Sequence, residues 1–374
     1  MPQIFSRRQF VGNATAFAGA VVASGHSGLA SQQKTKTDVD WFDVREWGLE
    51  GRGFDDTEKY FDRLPARAKG VVRNAVWNLS RHSAGMMVRF RTDSSAIHAE
   101  HSVTGKSLAM PHMPATGMSG LDLYAKDDAG EWRWVAVTRP TSQQMNLVVA
   151  SGLRPGMRDY SVYLPLYNGT ESLRIGVPKG RTFETIAPRK EKPIVFYGTS
   201  ITHGACASRP GMPHPSILGR RLHRPIINLG FSGNGKLEKS VGSFLTELDP
   251  AVYVLDCLPN MVAKEVAERT VPMVRQLRAA HPTVPIVLVE DRTYANSWIM
   301  PSKQKRNDTS RIAFQTAYKS MRDTGIEKLF YVDGESLLDK NRDDTTDGSH
   351  PSDLGFFNQA NAIEPALRKA LAAM

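Results

Sequence analysis

The sequence predicts a two-part protein: an antiparallel β-sandwich, then an α/β domain whose parallel sheet is covered by helices on both faces. Three observations predict this. Residues 41–181 alternate apolar and polar positions with period two, broken by regular turn signals. After Pro193 short apolar runs alternate with amphipathic stretches. A chain of 374 residues has length for roughly two domains.

In the first part, Met87-Val88-Arg89-Phe90-Arg91 and Ala96-Ile97-His98-Ala99 alternate, as do stretches within 132–137 and 160–164. Asp93-Ser94-Ser95, Asp127-Asp128-Ala129-Gly130 and Asn168-Gly169-Thr170 separate them. Short strands punctuated in this way belong to a sandwich, assigned here to residues 41–186 and jelly-roll-like in character. Residues 187–193, with prolines and alternating charges, read as a linker. In the second part, residues 194–374, the apolar runs are 194–197, 225–229, 251–255, 285–289 and 329–332. Helical patterns lie around 237–248, 263–280, 310–323 and 353–372. Buried strands alternating with helices imply a parallel sheet.

Lysine plus arginine number 48 against 38 acids, a net charge of +10. The positives are scattered among acids, without the basic runs of a nucleic-acid arm, so nucleic acid is not an expected partner. Cys206 and Cys257 are the only cysteines, which excludes a disulfide scaffold and a Cys-only zinc site. Ser6-Arg7-Arg8-Gln9-Phe10, a modest apolar run over 11–23 and Gly28-Leu29-Ala30 have the layout of a twin-arginine signal peptide at residues 1–30. The expected partner there is the Tat export machinery, and the expected location is periplasmic or secreted. That run is shorter than the ~20 residues of a membrane span, and nothing later supplies one. In an oxidising compartment Cys206 and Cys257 either pair or stay as two buried thiols.

Ligands of open parallel sheets sit at the carboxyl ends of the strands. The residues following the predicted strands are Tyr197-Gly198-Thr199-Ser200-Ile201-Thr202, then 228–235, then Asp256-Cys257-Leu258-Pro259-Asn260, and finally Asp347-Gly348-Ser349-His350. A serine, a glycine-rich loop, an asparagine and an Asp/His pair thus meet at one rim. Acyl transfer needs these types. Ser200 is the candidate nucleophile, inert until a base removes its proton; His350 is that base, and Asp347 fixes its tautomer. The backbone N–H groups of Ser200 and Gly233 and the side-chain amide of Asn260 are the candidate oxyanion donors, with Gly230 the competing glycine.

These blocks resemble those of the SGNH, or GDSL, hydrolase superfamily, named for its Ser, Gly, Asn and His. Gly198-Thr199-Ser200-Ile201-Thr202 carries threonine where many members have aspartate. Leu258-Pro259-Asn260-Met261 keeps only the asparagine of the usual Gly-x-Asn-Asp. Asp347 to His350 fits the Asp-x-x-His block fully. The resemblance covers 193–374. It implies a flavodoxin-like sheet and a serine ester hydrolase without metal or organic cofactor. Short-chain acyl esters, including acetylated carbohydrates, are the substrates it implies. An acyltransferase with the same triad, and a catalytically silent carbohydrate-binding protein, are the alternatives.

Other features carry less. Gly230-Phe231-Ser232-Gly233-Asn234-Gly235 lacks both nucleotide-binding glycine patterns. His98 and His101 face opposite sides of a strand, so one metal cannot easily take both; surface histidines are expected. The loop Leu108-Ala109-Met110-Pro111-His112-Met113-Pro114 is either a packed crossover or a wall over the rim, in which case His112 touches substrate. Glu290-Asp291-Arg292 either line the cleft or pair with one another.

Overall fold

The period-two alternation of the first part folds into two antiparallel sheets. The strands are β1 (Val39–Asp43), β2 (Met87–Thr92), β3 (Ala96–Val103), β4 (Asp122–Lys126), β5 (Trp132–Val137), β6 (Gln144–Ser151), β7 (Arg158–Tyr163), β8 (Thr170–Pro178) and β9 (Phe183–Ile186). They pair in the orders β1-β8-β3-β6 and β5-β4-β7-β2-β9. Val88, Phe90, Leu123 and Val162 of one sheet pack on Ile97, Ala99, Leu173 and Ile175 of the other. This is a sandwich in which alternate residues face the shared core. Two short helices, α1 (Asn74–Ser80) and α2 (Ala115–Met118), interrupt the strands. The computed structural model describes residues 38–374, so the export signal expected at 1–30 lies outside the described residues.

The second part is a doubly wound α/β layer. Its strands are β10 (Ile194–Gly198), β11 (Ile226–Gly230), β12 (Val252–Asp256), β13 (Ile286–Val289) and β14 (Leu329–Val332). All pair in parallel, in the order β11-β10-β12-β13-β14, which is the flavodoxin-like order. The three central strands are buried along their whole length, as their unbroken apolar sequences require. The helices are α3 (Ser200–His203), α4 (His214–Arg221), α5 (Lys239–Leu245), α6 (Ala263–Ala280), α7 (Pro301–Asp323) and α8 (Asp353–Ala372). Helix α7 starts at Pro301 rather than near residue 310. Proline at its first position is a start signal, but the following Lys303-Gln304-Lys305-Arg306 shows no apolar period.

The two parts share a core. Phe54, Leu64, Val72, Val76 and Trp77 pack in one cluster with Tyr197, Leu229, Phe231, Val241 and Phe244. Arg63, 1% exposed, lies within that seam. Its guanidinium donates to the carbonyls of Leu79 (2.6 Å), His82 (2.9 Å), Asn228 (3.0 Å) and Gly230 (2.8 Å). Burial lowers its pKa to about 9, so the cation persists at neutral pH, balanced by carbonyl dipoles.

Cys206 and Cys257 are free buried thiols, so the pairing alternative does not occur. His101 corrects the surface reading: it is buried beside Thr170, and desolvation lowers its pKa to about 3. His98 faces the other side of β3, against Trp41. Among the described residues no helix is long and apolar enough to cross a membrane.

Candidate active site

The first turn after β10 places Ser200. Thr199 caps α3, its hydroxyl accepting from the Ile201 N–H at 3.2 Å. Gly204 ends the helix in the left-handed region, φ 105°. A Cβ on Gly198 would strike the Thr202 side chain and the Asp256 carbonyl, so only glycine lets the strand turn this tightly into the helix. Ser200 is therefore the first helical residue, and its N–H is one of those a helix start leaves without an internal partner.

The Ser200 Oγ lies 2.8 Å from His350 Nε2. His350 Nδ1 lies 2.7 Å from Asp347 Oδ2. A carboxylate can only accept, so Nδ1 carries the proton, and Nε2 keeps the lone pair that faces the serine hydroxyl. Asp347 Oδ1 accepts the backbone N–H groups of Ser349 (2.9 Å) and His350 (2.8 Å). Partial burial pushes the Asp347 carboxyl up, but these donors and the His350 ring outweigh it and hold the pKa below the ordinary value.

The loop bearing this pair is pinned from β13. Arg292 Nε donates to the Ser349 carbonyl at 2.9 Å, and its Nη2 meets the Ser349 hydroxyl. The Ala295 N–H donates to the Gly348 carbonyl at 2.9 Å. Glu290, Asp291 and Arg292 are all buried. Glu290 accepts from Gln315 and the Gly334 N–H, and Asp291 pairs with Arg292. Of the two readings for this trio, pairing holds for Asp291 and Arg292 only, since the partners of Glu290 lie outside it; Arg292 adds support for the His350 loop.

On the opposite side of Ser200 the glycine-rich loop follows β11. Gly233 adopts φ 67°, and a Cβ there would meet nothing within 4 Å, so its conformation demands glycine while the space beside it is open. Its N–H makes no hydrogen bond among the described residues. The Gly230 N–H is engaged by Asn228 Oδ1 at 2.9 Å, which removes the competing glycine as a donor. The Asn260 amide fits its surroundings with Oδ1 accepting from the N–H groups of Asn234 (3.0 Å) and Gly235 (3.2 Å), leaving Nδ2 free to donate. Asn234 is held in turn by Arg73, whose Nη1 donates to its Oδ1 at 2.6 Å and whose Nη2 donates to its carbonyl at 3.1 Å.

His112 is exposed, its ring centre 6.3 Å from that of His350, so the Met- and Pro-rich loop of the first part does reach the rim. Trp298 (79% exposed), Ile299 and Met300 follow the Ala295 contact to the His350 loop. Sequence reasoning missed Arg63, Arg73 and Asp122. Asp122 accepts from Trp134 Nε1 (3.0 Å), Arg209 (3.0 Å) and the Gly211 N–H (2.8 Å), tying β4 to the segment after α3.

Residues 191–368 match the GDSL-like lipase/acylhydrolase family. Residues 39–183 match a family described as the N-terminus of SGNH-hydrolase-type esterases, whose label GxDLY is spelled here by Gly120-Leu121-Asp122-Leu123-Tyr124. A Bacteroides ovatus structure described as a GDSL-like lipase is 32% identical, with TM-score 0.85, over 90% of this chain and 98% of that one. The chain belongs to the GDSL-like lipase/acylhydrolase family and is a hydrolase of the SGNH type. The same fold recurs in a salicylyl-acyltransferase from a tetracycline biosynthetic pathway (20% identity, TM-score 0.67, 86% of this chain and 94% of that one). It recurs also in a family two carbohydrate esterase from Cellvibrio japonicus (12% identity, TM-score 0.57, 90% and 99%). No functionally curated protein matches the sequence.

Proposed function

We propose that the protein hydrolyses carboxylic esters through an acyl-enzyme on Ser200. The observation that carries this is the continuous relay from the Ser200 hydroxyl to His350 at 2.8 Å and on to Asp347 at 2.7 Å. In the first step the Ser200 Oγ attacks the ester carbonyl carbon while His350 Nε2 takes the hydroxyl proton. Asp347 stabilises the resulting imidazolium. The oxyanion is held by the N–H groups of Ser200 and Gly233 and by Asn260 Nδ2. When the carbon–oxygen bond to the alcohol breaks, His350 returns the proton to the departing oxygen. Water then attacks the acyl-enzyme by the same route and frees the acid. No step calls for a metal or organic cofactor.

The substrates we favour are short acyl esters on carbohydrates. The supporting observations are the shared fold of the Cellvibrio japonicus carbohydrate esterase and of an acetyl xylan esterase from Butyrivibrio proteoclasticus. His112, its ring centre 6.3 Å from that of His350, is the residue of the first part that would touch the substrate. We also propose that the chain is exported by the Tat machinery to the periplasm or beyond, on the strength of residues 1–30. Residues 41–186 form the sandwich domain, 187–193 the linker and 194–374 the hydrolase domain of this proposal.

The test is acylation itself. An organophosphate should label Ser200, and p-nitrophenyl acetate should be turned over by the wild type and not by Ser200→Ala. A wild type that neither reacts with the organophosphate nor turns over the ester would leave the silent carbohydrate-binding reading ahead. The salicylyl-acyltransferase fold keeps a second outcome in view: alcohols added to the assay would divert the acyl group from water to a new ester.

A further inference from the structure

Antiparallel sheets with one face in the core ordinarily present polar residues on the other. The outward face of β4–β5 does not. Trp132 and Trp134, two apart on β5, lie beside their cross-strand partners Lys126 and Tyr124, and Trp134 is 51% exposed. Opposite them stand the carboxyl end of α4 and the exposed Phe357 of α8, and the space between is a cleft of about 550 Å³. It adjoins a chamber of about 180 Å³ beneath Trp132, and Arg220 lines both.

The charges around these two spaces cancel, but one base is left out of the pairing. Arg209 pairs with Asp122, Arg221 with Glu364, Arg133 with Asp127, Lys126 with Asp159, and Arg89 and Arg189 with Glu50. Glu131, Glu191 and His223 complete the titratable lining. Arg220 has no carboxylate at ion-pair distance among the described residues. Its guanidinium lies 4.2 Å from the Tyr124 ring centre and 5.5 Å from that of Tyr163. Its Nη1 is buried without a hydrogen-bond partner, and so is the Ser161 hydroxyl in the same chamber. A buried donor left without a partner is costly, and an arginine fork is shaped for a carboxylate. Exposed tryptophan rings offer flat apolar surface of the kind that covers a sugar face.

We propose that this cleft binds an acidic oligosaccharide, with a uronate carboxylate on Arg220 and sugar rings against Trp134 and Trp132. The choice of a glycan rests on the esterase reading above; the choice of an acidic one rests on Arg220 and Ser161. The cleft is joined to the catalytic segment: Ser208, next to Arg209, donates its N–H to Asp353 at the start of α8, just after His350.

The experiment is calorimetric titration of full-length Ser200→Ala with tetragalacturonate and with neutral cellotetraose. The acidic tetramer should bind at least tenfold more tightly, by a margin that shrinks at high salt. Arg220→Gln should erase the margin. Trp134→Ala should weaken the acidic tetramer at least fivefold, whereas the control Trp134→Phe, which keeps a ring and loses the bond to Asp122, should not. Equal affinity for the two tetramers, or acidic binding that survives both Arg220→Gln and Trp134→Ala, overturns the proposal. Because binding is read without Ser200, it is separate from turnover: a wild type inactive on p-nitrophenyl acetate sinks the esterase reading and leaves these binding outcomes to be judged on their own.

Discussion

The two loops that meet at Ser200 are held by different parts of the chain. The His350 loop is fastened from within the α/β layer, by Arg292 and Ala295 following β13. The glycine-rich loop is fastened largely from outside it: Arg63 grips the carbonyls of Asn228 and Gly230, and Arg73 grips Asn234. On the proposed mechanism, proton transfer is built into the hydrolase layer, whereas the geometry that would stabilise the oxyanion depends on residues of the first part. On that proposal the first part acts in catalysis apart from any contact with substrate.

Substitutions on the two sides should separate these contributions. The largest loss is expected at the relay. Asp347→Asn should lower kcat by about 10⁴ in a pH-rate profile on p-nitrophenyl acetate, because the imidazole loses the partner that fixes its tautomer. On the other side Asn260→Ala should cost about 10²–10³ in kcat with little change in KM, as expected for a donor that acts on the transition state. Arg73→Ala should cost about tenfold by loosening Asn234 and through it Asn260. In the double variant with Asn260→Ala that loss should largely disappear. Fully additive losses, measured in the same assay, would mean that Arg73 does not act through the amide.

The smallest effect is on stability alone. Burial raises the Asp256 carboxyl from 3.8 to about 7, against the Thr202 hydroxyl that donates to it. A value higher in the folded state favours folding at low pH, and this contribution is lost as the pH rises through about 7. Asp256→Asn removes the penalty, so melting curves of the wild type and variant should lie together near pH 4 and diverge, variant higher, by pH 8.

Much of the hydrolase layer was legible because its strands are unbroken apolar runs and its polar residues follow them. Ser200 sits at such a strand end and Asp347 and His350 in the segment between β14 and α8, and the topology brings them within hydrogen-bonding distance. The arginines were not legible. Arg63 and Arg73 lie between strands of the first part, and nothing local announces that each holds partners more than 150 positions away. Arg292 stood beside an aspartate, which suggested a pair but not its second hold on Ser349. The first turns of α7 are all polar, so apolar periodicity places its start near residue 310, beyond the proline at which it begins. His101 looked like a surface residue because alternation gives the faces of a strand but not which face is buried.

Arg63 has one more consequence. Asn228 and Gly230 belong to β11, the outermost strand of the parallel sheet, whose carbonyls on the unpaired side would otherwise invite another chain to dock as an extra strand. A guanidinium seated on two of them occupies the acceptors such an intruder needs. The residue thus seals that border from the side of the first part, under which β11 is buried along its whole length.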